Sequence, residues 1–202
     1  MEDCGYFVNE LSSCSFRFLR NALSVSRKEF VSEDEPALLA TVRIRNLTDV
    51  SRLLRINFTG YVNIRPGWKA GLPNGLDRIE YVDDLVYASD QLLAEQGVLF
   101  GSKSKPVSRK LEDNRATLTY TLEIPPSGDG ELTFIILAQR GIEKRTLRGQ
   151  AGRLLRKAKL ELKEKQDMYR SAPLSGITFR CSDQAVTRAF SAARVNLMML
   201  TT

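Results

Sequence analysis

The hydrophobic period of this chain changes at Gly141, and that change divides what it can fold into. Before it, apolar side chains recur at every second residue. From Ala116 to Ile124, Leu118, Tyr120, Leu122 and Ile124 share one face while threonines hold the other. Leu54, Ile56 and Phe58 alternate with Arg55, Asn57 and Thr59, and Val42 and Ile44 alternate with Arg43 and Arg45. Ile79, Tyr81 and the stretch to Tyr87 continue the theme. This is the signature of half-buried antiparallel strands. A Pro-Pro-Ser-Gly-Asp-Gly turn at 125–130 feeds Leu132–Ala138, a more fully apolar strand. Residues 13–140 therefore read as β, and many strands with turn chemistry between them predict an antiparallel sandwich.

After Gly141 the spacing becomes three and four. Leu147, Ala151, Leu154, Leu155, Ala158 and Leu162 form a helix stripe, with basic residues filling the other face. This helix should stop before Ser171-Ala172-Pro173. A short extended piece follows at 176–180, then an N-cap at Ser182 or Asp183. Val186, Phe190, Ala193, Leu197 and Leu200 complete a second amphipathic helix. The expected fold is mainly β: an antiparallel β-sandwich over 1–141, a basic linker helix over 142–172, and a short strand with a further helix over 173–202.

Composition narrows the chemistry. Among 202 residues there is no histidine, which excludes Ser-His-Asp and Cys-His nucleophile pairs, an imidazole base and His-ligated zinc. Cys4, Cys14 and Cys181 are odd in number and lack C-x-x-C spacing, so no metal or other cofactor is expected. Free thiols, and an acidic N-terminus leading into no apolar stretch, fit a cytoplasmic protein. No apolar run reaches the ~18–20 residues that span a bilayer, so no membrane partner is expected. The N-x-T sequons at Asn46 and Asn57 read as chance matches inside strands. The net charge of +6 is uneven: residues 1–138 carry −3, residues 139–170 carry +7 and residues 171–202 carry +2. The basic stretch has one aromatic residue, Tyr169, which argues against nucleic acid. A solvated face, or one packed on an acidic domain, is the plainer reading.

Few residues offer chemistry. Asp77, Glu80, Asp83 and Asp84 are the best-placed acids for a paired-carboxylate site, against the alternative of solvated loop and strand charges. Trp68, the one tryptophan, follows a strand into a Pro-Gly turn beside Tyr61 and Arg65. A ring flanked by directed polar groups is a way to hold a sugar; a tryptophan covering one end of the core is the alternative. Tyr61, Arg65 and Trp68 are the candidate substrate-binding residues.

The last stretch carries a resemblance. Asp183, Val186, Ala189, Phe190, Ala193, Arg194, Asn196 and Leu197 fit the D-x-x-[LV]-x-x-A-F-x-x-A-[KR]-x-N-L pattern that opens the helical barrel of six-hairpin glycosidases. The upstream stretches Val42–Thr48, Phe58–Trp68 and Leu118–Tyr120 resemble the N-terminal supersandwich-like domain of the glycogen-debranching (amylo-α-1,6-glucosidase) and glucoamylase branches. The sandwich of inverting disaccharide phosphorylases has the same layout. The resemblance implies a non-catalytic domain that buttresses a helical-barrel catalytic domain in an enzyme acting on α-glucans, its loops bordering the cleft. Both catalytic carboxylates belong to the barrel in these families, so no catalytic residue carries over and this chain alone should not turn over substrate. A stand-alone carbohydrate-binding or interaction module is the alternative. The 183–202 helix needs a cover for its apolar stripe, and a second copy of the chain is one candidate.

Overall fold

The computed structural model describes residues 4–10, 12–64, 77–90, 96–171, 179, 181–187, 189–190 and 193. Eleven strands precede a long helix among them: β1 (Cys4–Asn9), β2 (Cys14–Arg20), β3 (Leu23–Val31), β4 (Ala37–Asn46), β5 (Arg52–Tyr61), β6 (Asp77–Val82), β7 (Leu85–Asp90), β8 (Gln96–Ser102), β9 (Ser108–Glu112), β10 (Arg115–Ile124), β11 (Asp129–Arg140) and α1 (Lys144–Ser171). The expected mainly-β class holds, with every described strand pair antiparallel. Helical residues return at 184–187 and 189–190. The Asp183 side chain caps them by accepting the Ala185 N–H at 2.7 Å. Phe190 meets Phe179 there with ring centroids 5.1 Å apart, while Val186 is exposed. Leu197 and Leu200 lie outside the described residues.

The strands form an eight-stranded sheet, ordered β1-β2-β3-β4-β11-β8-β7-β6, and a three-stranded sheet, ordered β5-β10-β9. β11 sits inside the large sheet, between β4 and β8. Its Leu132 and Phe134 face the small sheet, in one core with Leu118 and Tyr120 of β10 and Val86 of β7. Phe58 of β5 stacks on Phe134 with ring centroids 4.6 Å apart. Gly60 of β5 leaves room for the Phe100 ring, which a Cβ there would approach to 2.7 Å. The Tyr120 phenol lies in this core, and burial pushes its pKa up to about 12. On the other side of β11, Ile135 and Leu137 face α1, which sets Leu147, Ala151, Leu154, Leu155 and Ala158 against the sheet. The molecule therefore has three layers, with α1 covering the outer face of the large sheet. Every residue of the predicted helix stripe is in this second core or packs on it.

Asn46 joins the two sheets at one end. Its Nδ2 donates to Val50 O at 2.7 Å and Pro125 O at 3.1 Å, while its Oδ1 accepts from the Thr48 N–H at 3.1 Å and Thr48 Oγ1 at 2.8 Å. The β4–β5 and β10–β11 turns are thus pinned by one side chain that is 0% exposed. Its amide is fully engaged, so this sequon offers no acceptor in the folded chain. The second, Asn57, lies on an exposed strand face. Asn46→Ala leaves buried carbonyls without a donor, a loss of about 1–3 kcal/mol. A urea melt should show the lower midpoint; an unchanged midpoint would contradict the role given to Asn46.

Candidate functional site

The outward face of the small sheet is polar and ordered in rows. Strand register places Tyr61 beside Arg115 and Arg115 beside Glu112. The next row is Thr59, Thr117 and Lys110, and the next Asn57, Thr119 and Ser108. Successive rows are about 7 Å apart, two residues of extended chain. Within the rows the polar atoms find one another. Thr119 Oγ1 donates to Asn57 Oδ1 at 2.9 Å, and the Thr59 and Thr117 hydroxyls lie 3.1 Å apart. Glu112 pairs with both Arg115 and Lys110. These contacts fix the directions of donors and acceptors that remain in water.

Tyr61 ends the face. It is 77% exposed, and the Arg115 guanidinium carbon lies 6.0 Å from its ring centroid. An open aromatic ring beside a guanidinium and a hydroxyl ladder can stack on the apolar side of a pyranose while bonding its hydroxyls. Beyond Tyr61 the chain is anchored. The Val62 N–H donates to Asn114 O at 2.7 Å, and the Ile64 N–H donates to Asp77 Oδ2 at 3.2 Å. Arg65 and Trp68, the other two candidate residues, lie outside the described residues. Alternation in β5 and β10 reveals the polar faces in the sequence, but the pairing of Tyr61 with Arg115 is a matter of register and carries no local signal.

The four candidate acids do not converge. Asp77 serves the Ile64 backbone. Glu80 pairs with Lys144, and Asp83 accepts from Arg148 Nε at 2.9 Å, so both hold α1. Asp84 lies 2.6 Å from Arg109 Nη2 and ties β9 to the β6–β7 turn. Among the described residues, no group of three Cys, Asp or Glu side chains could hold a metal ion. No described helix is long and apolar enough to cross a membrane.

The α1 surface away from the sheet is the second notable feature. Lys144, Arg148, Lys159 and Lys165 turn back to Glu80, Asp83, Glu131 and Glu33. Arg145, Arg153, Arg156 and Lys163 lie on the solvent side, with no ion pair among the described residues. Gly149 and Gly152 fall between them. A Cβ added at Gly149 meets nothing within 4 Å, and one at Gly152 meets only arginine side-chain tips. Nothing inside the described chain requires either glycine, although each costs a helix interior about 1 kcal/mol relative to alanine.

No protein-family model and no curated protein matches the chain. Among solved structures it is similar to a human-microbiome protein assigned as a kojibiose phosphorylase, with a TM-score of 0.54 and 14% identity over 78% of this chain and 23% of that one. Lower scores link it to the heparan sulfate lyase HepC of Pedobacter heparinus (TM-score 0.43, 9% identity, 68% of this chain and 22% of that one) and to another polysaccharide lyase (TM-score 0.45, 10% identity, 66% and 23%). The first likeness shows a shared fold. The chain spans about a quarter of the length of each of these proteins.

If the small-sheet face holds a sugar, Tyr61→Ala should reduce binding of maltotriose about tenfold. Calorimetric titration against the parent chain measures this. Equal binding by the two proteins would remove Tyr61 from the site.

Proposed function

We propose that this chain is a non-catalytic β-sandwich portion of a larger carbohydrate-active enzyme of the phosphorylase or glucosidase type. The observation that carries the reading is the fold shared with a 23% portion of a protein assigned as a kojibiose phosphorylase. The barrel-like motif at 183–197 supports it from the sequence side. The structural likeness moves the weight from glycogen debranching toward disaccharide phosphorylases, whose sandwich the same sequence features also resemble. In this reading the β5-β10-β9 face, with Tyr61 at its end and Arg65 and Trp68 following in the chain, borders a saccharide. The outer face of α1 docks on the catalytic domain of the same enzyme.

The glycines give that docking a physical basis. A helix bearing Gly149 and Gly152 at one spot lets a neighbouring backbone approach closely. Arg145, Arg153 and Arg156 around that spot, with Lys163 about three turns further along the same face, suit an acidic partner surface. The role of the sandwich is then mechanical: it presents one rigid helix to the barrel and one polar face to the cleft.

Two measurements test this. The chain alone should neither hydrolyse maltooligosaccharides nor release glucose 1-phosphate from kojibiose and phosphate. Turnover that disappears on mutating one of its own carboxylates would overturn the non-catalytic reading. Gly149→Ala should stabilise the isolated chain by up to about 1 kcal/mol and weaken its association with a separately produced catalytic domain. A variant that is more stable and associates as well as the parent would remove the docking role.

A further inference from the structure

The C-terminal half of α1 and the β3–β4 turn enclose a small cavity on the side of the molecule opposite the three-stranded sheet. Its frame is well tied. Lys165 Nζ, on a residue 8% exposed, donates to Val31 O at 2.7 Å and lies 2.6 Å from Glu33 Oε1. The Tyr169 hydroxyl donates to Glu33 at 3.1 Å, and the Ser32 N–H donates to Ala37 O at 2.8 Å. These bonds leave a space of about 220 Å³. Phe30 and Met168 give it apolar lining, and Ser32, Asp34, Glu161 and Glu164 give it polar lining.

The polar lining is incomplete. Lys165 neutralises Glu33, but Asp34, Glu161 and Glu164 have no ion pair among the described residues. Glu161 Oε2 is buried without a hydrogen-bond partner. Burial pushes the Glu161 carboxyl above its usual range; Asp34 and Glu164 add to this, while the nearby Ser32 hydroxyl and Lys157 oppose it. Ser32 is 8% exposed, and its Oγ accepts no hydrogen bond. The Ser32 hydroxyl can itself donate to the Glu161 carboxylate, but one buried Glu161 oxygen stays without a donor beside the exposed carboxylates of Asp34 and Glu164, and this calls for a ligand with N–H groups and a positive charge.

The chemistry narrows that ligand. The carboxylates are not grouped as metal ligands. The volume is below the ~300–1,000 Å³ of ordinary small-molecule sites, which leaves out a saccharide. An ammonium has three donors and no acceptor, and an alkyl stem can lie on Phe30 and Met168 while the charged head meets the oxygens. We infer that this cavity binds a primary alkylammonium group, held by Glu161 and Ser32 and balanced by Asp34 and Glu164. The group arrives either on a lysine side chain of a partner protein or on a free diamine. This site is independent of the saccharide face and of the docking role given to α1.

Thermal melts of the full chain with n-butylammonium chloride test the inference, with tetramethylammonium chloride at equal concentration as the control that has charge but no N–H. Butylammonium should raise the midpoint and tetramethylammonium should not. Glu161→Gln should weaken the butylammonium response about tenfold in concentration, and Ser32→Ala should weaken it less. Equal shifts with the two salts, or an unchanged response in a folded Glu161→Gln, would overturn the proposal. If Glu161→Gln does not fold, an unchanged response in Ser32→Ala overturns it equally. Titration with 1,5-diaminopentane and with N-acetyl-lysine amide separates the sources: tighter binding of the diamine assigns a free amine, and tighter binding of the lysine derivative assigns a partner's side chain.

Discussion

The structure depends on β11 being buried on both faces. One strand supplies Leu132 and Phe134 to the core between the sheets and Ile135 and Leu137 to the core beneath α1. A fully buried side chain of this size is worth about 1.5–3 kcal/mol, and here four of them lie on six consecutive residues. Losing β11 would uncouple the helix from the large sheet and the large sheet from the small one. The position of α1 follows, because its stripe of Leu147, Ala151, Leu154, Leu155 and Ala158 has a covered sheet face to meet. The position of the small sheet follows as well, with Phe58 stacked on Phe134.

Electrostatics then sets which way the helix presents itself. The sandwich is mildly acidic and the helix strongly basic. Pairs such as Arg148–Asp83 and Lys159–Glu131 are exposed and worth about 0–1 kcal/mol each. Their value lies in rotation and register more than in stability. They draw one set of cations down to the sheet and leave Arg145, Arg153, Arg156 and Lys163 outward on the face of the two glycines. The helix read from sequence as a linker is therefore packed along the domain, with one face used and one face available.

Much of this was legible because periodicity is a local property. The β5 alternation appears residue for residue as half-buried Leu54, Ile56 and Phe58 against exposed Arg55, Asn57 and Thr59. The apolar run of β11 announced a strand covered more fully than its neighbours. The cap at Asp183 was equally local, whereas the helix expected to stop before Ser171 includes that residue. β1 escaped because Cys4–Asn9 has little alternation and joins the sheet only by pairing with β2. The rows of the small-sheet face escaped because register between β5 and β10 is set by packing, not by either strand. The acids at Asp77–Asp84 looked like a cluster in sequence, yet a hairpin turn sends them to separate partners.

In the proposed function the sandwich presents a polar face ending at Tyr61 to a saccharide. Amide chemical-shift mapping of the chain during titration with maltotriose tests that face. Perturbations should concentrate at Asn57, Thr59, Tyr61, Arg115, Thr117 and Thr119, with α1 silent. No perturbation at millimolar sugar, or perturbations confined to α1, would contradict it.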